Sequence, residues 1–199
     1  DARGQRTCLY YDALNRLTEK RVDDQNGALL ASFTYDQSSA ANLGVGRRTG
    51  MSDASGSTAW TYDARGRVIH ERKHVLDGAN DMGIYNTYWT YFSNDSVRQM
   101  MYPNQEAVTY DYEASGRLNR VSSIQDGTYD YRDYVSAIQY DESGRVVRRE
   151  LGNGVAQNYT FHPWTTQGGR LSSLTTIGTQ TYQNLAYTYD DNGNIGSIT

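Results

Sequence analysis

The chain is poor in the features that usually organise a domain of its size. Its 199 residues hold one cysteine and two prolines. A lone Cys8 excludes an intramolecular disulfide framework and leaves the compartment open, because many bacterial secreted proteins lack disulfides. No run approaches the roughly 20 apolar residues that a membrane-spanning helix needs, so no membrane span is expected. Basic charge is not in excess. The 19 Lys and Arg against 23 Asp and Glu give a net charge of −4, with both signs scattered, which removes the footprint of a nucleic-acid binder. Apolar residues are scarce too: counted with Gly in place of Tyr they reach about 38%, short of the roughly 45–50% usual in globular domains. Helix-friendly windows are few, because glycine and turn formers interrupt nearly all of them. Only residues 84–102 run long without Gly or Pro, and Ile84, Tyr85, Tyr88, Trp89, Tyr91 and Phe92 there fit a strand as easily as a helix.

What is plentiful is tyrosine, 18 residues, and a phrase built on it. Tyr62-Asp63-Ala64-Arg65-Gly66-Arg67-Val68 recurs as Tyr140-Asp141-Glu142-Ser143-Gly144-Arg145-Val146. Weaker copies keep the frame. Tyr11-Asp12-Ala13-Leu14-Asn15-Arg16-Leu17 has Asn for Gly, and Tyr112-Glu113-Ala114-Ser115-Gly116-Arg117-Leu118 has Glu for Asp. Tyr189-Asp190-Asp191-Asn192-Gly193-Asn194-Ile195 loses the Arg, and Tyr91-Phe92-Ser93-Asn94-Asp95-Ser96-Val97 keeps only its ends. Two copies are stretched: Tyr35-Asp36 reaches Gly46-Arg47, and Phe161 reaches Gly169-Arg170-Leu171. Copies thus begin near residues 11, 35, 62, 91, 112, 140, 161 and 189, a spacing of the array kind. Residues 1–199 read as one such array. It opens at Asp1-Ala2-Arg3-Gly4, a copy without its Tyr, and the expectation is a segment of a longer protein.

Each copy has the grammar of strand, tight turn, strand. Ala59-Trp60-Thr61-Tyr62 is β-rich, and Val68-Ile69 resumes with branched residues. Asp can bond the main chain two residues ahead, and Gly tolerates positive φ, so Asp-x-x-Gly is turn chemistry. Asn15 in the Gly place fits, since Asn also visits the left-handed region. Between copies, Asn26-Gly27, Asp126-Gly127 and Asn153-Gly154 predict type I′ hairpins, while Asp77-Gly78 and Pro103-Asn104 are further breakers. The expected fold is all-β: tandem antiparallel hairpins in a curved, single-layer sheet. Tyrosine suits so thin a layer, because its ring packs while its hydroxyl meets water.

The phrase Tyr-Asp-x-x-Gly-Arg-Val/Leu at this period resembles the YD repeat of the Rhs (rearrangement hotspot) family. That family includes bacterial polymorphic toxins, the cocoons of insecticidal toxin complexes, wall-associated proteins and teneurins. The resemblance covers essentially the whole chain. It implies hairpins spiralling into a hollow shell that encloses a toxin or presents a surface scaffold of a large secreted bacterial protein. It also implies partners: adjacent repeat segments, or other copies meeting at open sheet edges, and an enclosed toxin domain. The chain lacks the Asp-Pro-rich region of a self-cleaving core and any recognisable toxin. An adhesion module binding surface glycans through tyrosines is the alternative reading, although Trp60, Trp89 and Trp164 fall at no common repeat position.

Chemistry-bearing patterns are few. His70-Glu71-Arg72-Lys73-His74 matches the zinc-peptidase signature HExxH, which needs two His one helical turn apart on one face. Here the segment continues the strand after the Gly66 turn, and residues four apart on a strand lie roughly 13 Å apart. The expectation is therefore no metal, no cofactor and no catalysis, with a zinc peptidase through His70, Glu71 and His74 as the remote rival. Gly44-x-Gly46-x-x-x-Gly50 lacks phosphate-loop spacing and a following helix, and Asp190-x-Asn192-x-Asn194 has Ile195 where a calcium loop needs Gly. The repeated Tyr, Asp, Gly and Arg positions are expected to serve architecture.

Overall fold

A computed structural model describes residues 4, 6–125 and 130–199, and they divide into two units, 1–104 and 105–199. Asp1-Ala2-Arg3 and the expected turn at Asp126-Gly127 lie outside the described residues. The first unit contains β1 (Thr7–Tyr11), β2 (Leu17–Val22), β3 (Leu29–Tyr35), the short β4 (Ser38–Ser39) and β5 (Asn42–Leu43), β6 (Arg48–Asp53), β7 (Gly56–Tyr62), β8 (Val68–Asp77), β9 (Asn80–Tyr91) and β10 (Val97–Met101). The second contains β11 (Glu106–Tyr112), β12 (Leu118–Gln125), β13 (Asp130–Tyr140), β14 (Val146–Leu151), β15 (Ala156–Phe161), α1 (Trp164–Gln167), β16 (Leu171–Ile177), β17 (Thr181–Tyr189) and β18 (Ile195–Ile198). Apart from the β4–β5 pair, the strands of each unit lie side by side in chain order, and each characterised pair is antiparallel. This is the all-β hairpin array that the sequence predicts. The window 84–102 holds the end of β9 and all of β10, joined by a turn, and the sole helix among the described residues spans four residues after Pro163.

The sheet has almost no interior. Ala31 and Val108 are the buried apolar side chains among the described residues, while Leu14, Val45, Trp164, Ile195 and Ile198 stay more than half exposed. A single layer wetted on both faces cannot bury a core, so cross-strand pairs and main-chain ladders carry more of the stability than in a two-layer domain.

The repeated reversal is one geometry throughout. At the copy beginning with Tyr62, the Asp63 N–H donates to the Arg67 carbonyl (3.0 Å) and the Gly66 N–H to the Asp63 carbonyl (3.0 Å). Gly66 has φ +80°, Gly144 +81°, Gly193 +86° and Asn15 +60°. A tight turn closed by a left-handed residue is the three-residue hairpin loop with a bulge. A second bulge, beyond the one that closes the loop, is visible in the register. Tyr62 pairs with Val68 but Thr61 with His70, so Ile69 is extra, and the same slip follows Tyr140 and Tyr112. Bulges of this kind raise local twist. The stretched copies close identically at their base: Asp36 N–H donates to Arg47 C=O (3.1 Å), and His162 N–H to Arg170 C=O (2.8 Å).

Two turn expectations need correction. At Asn26-Gly27 the left-handed residue is Asp23 (φ +60°), and the connection spans residues 23–28, so no type I′ turn forms. At Asn153-Gly154 only Gly154 has positive φ (+81°), its N–H donates to Leu151 C=O (3.0 Å), and Asn153 Oδ1 accepts from Val155 N–H (3.1 Å). That is the bulged turn again: the Asn side chain caps the loop and leaves the left-handed place to Gly alone. Asp77-Gly78 does begin a tight two-residue connection, with Gly78 at φ +59° and Asp77 paired to Asn80.

Candidate functional site

The geometry that recurs is a latch between one copy and the next. Within a copy the Asp carboxylate closes its own turn. Asp63 Oδ1 accepts from the Arg65 and Arg67 main-chain N–H groups (2.9 and 3.0 Å), and Oδ2 accepts from Arg67 Nε (2.7 Å). Asp12 does the same for Leu14 and Arg16, and Asp141 for Arg145. The main-chain N–H of Arg16, with the Arg16 guanidinium, holds the Asp12 carboxyl below the usual range, and that of Arg145 does so for Asp141. At Asp190 the Asn194 amide takes the place of guanidinium (3.0 Å), again with a lowered carboxyl. Glu113, longer by one methylene, binds Arg117 Nε (2.6 Å).

The guanidinium then reaches forward. Arg16 sits 4.4 Å over the Tyr35 ring, Arg67 4.6 Å over Tyr91, Arg117 4.9 Å over Tyr140, and Arg145 4.2 Å over Phe161. The tyrosine reaches back. Tyr35, Tyr62, Tyr91, Tyr140 and Tyr189 each donate a hydroxyl hydrogen bond, between 2.6 and 2.9 Å, to the carbonyl of the residue after the preceding copy's Arg: Leu17, Arg48, Val68, Leu118 and Leu171. Arginine fits because its planar cation can stack on a ring while its edge stays hydrogen-bonded. Gly66, Gly144 and Gly193 lie beneath the preceding copy's arginine, so a Cβ at Gly66 would run into the Arg47 guanidinium, whereas one at Gly144 would stand 3.7 Å from Arg117. Tyr11 begins the first copy, Tyr112 is raised in pKa by partial burial, and Gly116 (φ +82°) has open space where a Cβ would go.

Three parts of this arrangement are not marked in the repeat phrase. Asp95, in the Gly place at φ +70°, receives both Arg65 and Arg67 (2.8 Å each). Asn42, on the inserted β5, stands in for a missing strand residue: its Nδ2 donates to Trp60 C=O (3.3 Å) and its Oδ1 accepts from Tyr62 N–H (3.0 Å). Arg145 lies between Phe161 and Trp164, the latter brought over it by α1 (4.9 Å). The offset from each Arg to the next copy's aromatic ring varies from 15 residues (Arg47 to Tyr62) to 24 (Arg67 to Tyr91), so no fixed spacing signals the latch in the sequence.

The HExxH match lies flat on β8. His70 stacks on Tyr88 (4.3 Å between centroids) and its Nε2 meets Asn86 Oδ1 (2.9 Å), while His74 Nε2 meets Asp81 Oδ1 (2.9 Å). Glu71 is occupied elsewhere, accepting from Trp60 Nε1 (2.8 Å). Among the described residues no group of three or more His, Cys, Asp or Glu side chains could hold a metal ion. Cys8 donates from Sγ to the Asp23 carbonyl (2.9 Å). No helix among the described residues is long and apolar enough to cross a membrane.

No family model matches the sequence, and no curated protein matches it. Solved structures do. The crystal structure of TcdB2-TccC3-Cdc42 superposes with a TM-score of 0.81 at 20% identity, covering 98% of this chain and 10% of that one. A structure of the Photorhabdus luminescens Tc holotoxin pore with a mutated TccC3 gives 0.81 at 21% identity, over the same shares. TcdB2-TccC3 without its hypervariable C-terminal region gives 0.80 at 20%. The chain spans about a tenth of the length of those chains. Over nearly all its residues it therefore has the fold of these toxin-complex chains, which is the fold that the YD-repeat resemblance implies.

Proposed function

We propose that residues 1–199 are a non-catalytic structural array of YD repeats, forming part of the wall of a hollow shell in a large secreted or surface-delivered protein. The carrying observation is the latch. Arg16, Arg67, Arg117 and Arg145, with Tyr35, Tyr62, Tyr91, Tyr140 and Tyr189, are spent on joining one hairpin to the next, which is what a wall requires and what a copied binding site would not do. The matched toxin-complex chains are about ten times longer, which supports a role as one portion of a larger enclosure. In this reading the repeat positions Tyr62, Asp63, Gly66, Arg67 and their counterparts are architectural. Among the described strands, β1 and β18 stand at the two ends of the sheet order, and their outer sides would pair with adjacent segments. A toxin domain is the expected cargo.

Electron cryomicroscopy of the complete protein that carries this array tests the reading. The expected image is a closed β-walled shell with density inside. An open rod, or a compact particle without a lumen, overturns it. Saturable binding of the chain to a glycan array, abolished by changing exposed tyrosines, would move the assignment to adhesion.

A further inference from the structure

In the first unit β7 and β9 each outrun a neighbour, and they are treated differently. β7 extends past β6 at Trp60–Tyr62, and the Asn42 amide covers the main-chain groups left open there. β9 extends past β10. Their pairing ends at Met101 opposite Tyr88, and β9 continues to Asn80 paired only with β8.

The direction of the main chain along β9 follows from Asn42. Because it binds Trp60 C=O and Tyr62 N–H, those two residues face away from β8. Main-chain direction alternates along a strand, so Ala59 faces β8, its partner Arg72 faces β7, and Glu71 and Lys73 face β9. Their partners Thr87 and Tyr85 face back to β8, which leaves Asn86 and Ile84 facing outward, in step with Tyr88. Farther along, the outward Met82 C=O is covered by Tyr85, whose OH donates to it (2.9 Å). Among the described residues, no side chain covers the outward main-chain groups of Ile84 or Asn86 in this way. Met82, Ile84, Tyr88 and Tyr102 beside them are exposed by 53, 47, 40 and 37%.

We propose that the outward edge of β9 at Ile84–Asn86 is a strand-addition site for a short extended peptide with apolar side chains at alternate positions. Pairing continues the lane that β10 already occupies. The N–H and C=O of both residues would be satisfied, and alternate side chains would meet Met82 and Ile84. A second copy of this chain does not fit. Two-fold pairing centred on Gly83, Ile84 or Tyr85 sets residue 78, 80 or 82 of the copy opposite Tyr88, where Met101 already lies. A free segment that ends before Tyr88 avoids that collision.

The test uses the whole chain and the capped peptide acetyl-Thr-Val-Thr-Val-Thr-amide, followed by amide resonances and hydrogen exchange. Peptide at nine times its dissociation constant slows exchange at Ile84 and Asn86 by about tenfold, since only the unbound edge exchanges. Exchange at Tyr85 and Thr87, which face β8, stays as it was. The same peptide methylated at every main-chain nitrogen has no effect, and Asn86→Pro, which removes an outward N–H and the side-chain contact to His70 but none of the main-chain bonds to β8, abolishes the response at Ile84, whereas Asn86→Ala, which loses only the His70 contact, keeps it. Unshifted Ile84 and Asn86 resonances at about 10 mM peptide, a concentration that would reveal even millimolar binding, overturn the proposal. Equal slowing by the methylated peptide also overturns it, because apolar contact alone would then account for binding.

Discussion

The turns at Tyr62–Arg67 and Tyr91–Ser96 share a backbone and almost nothing else. In both, the second residue's N–H bonds the sixth residue's carbonyl (3.0 and 2.9 Å) and a left-handed fifth residue closes the loop. In the first turn, Asp63 gathers two main-chain N–H groups and the Arg67 guanidinium. In the second, Phe92 stands where Asp would be, Ser96 where Arg would be, and Asn94 Oδ1 caps the Ser96 N–H (3.2 Å). Asp95 instead collects two arginines from the copy before it. The reversal thus tolerates loss of the phrase, because a main-chain turn needs one residue that accepts positive φ. The Asp and Arg add the latch.

Acid should separate the two turns most sharply. The lowered carboxyls of Asp12 and Asp141 stabilise the fold above the ordinary carboxylate pKa, and that contribution fades as pH falls through their lower folded values. The affected window lies below about pH 4. Corrected for the intrinsic slowing of exchange in acid, amide exchange should therefore accelerate at Arg16 and Arg145 on acidification, while Ser96, capped by a neutral amide, changes only with global unfolding. Uniform acceleration at all three would break the comparison.

Gly66→Val should follow, with a loss of about 2–3 kcal/mol from positive-φ strain and collision with Arg47. At Gly144, where Arg117 stands clear, the same change should cost about 1–2 kcal/mol, the backbone strain alone. Chemical denaturation measures both, and equal losses would contradict the crowding at Gly66. Tyr140→Phe removes the hydroxyl bond to Leu118 C=O and should cost about 1 kcal/mol. Phe161 is the natural version of that deletion, so Phe161→Tyr should raise the melting temperature; no gain would mean that α1 and Trp164 have closed the space. The smallest effect is expected for Asp95→Gly. It relieves a strained φ but loses two exposed ion pairs worth roughly 0–1 kcal/mol each, so the net change should turn favourable as salt rises. A salt-independent loss would show that the Arg65 and Arg67 contacts to Asp95 are not mainly ionic.

The hairpin unit was legible because its signals are local. Asp63 and Gly66 lie within one turn, and Trp60-Thr61-Tyr62 and Val68-Ile69 flank it with strand formers. The stretched copies close at their bases, Asp36/Arg47 and His162/Arg170, as the short ones do. Asn26-Gly27 and Asn153-Gly154 misled, because a dipeptide does not reveal which residue the longer loop will place at positive φ. Asn42 and Asp95 were invisible because their partners lie about 20 and 30 residues away in sequence.

The repeat phrase, with Gly, Asn or Asp at its left-handed place, determined where the hairpins turn, and tyrosine, threonine and valine that the chain runs as strand between turns, since both are choices of nearby dihedral angles. Which arginine covers which ring, which strand outruns its neighbour, and which main-chain groups are left for another molecule were decided only when hairpins lay side by side. Those are distances between separate copies, and no single copy encodes them.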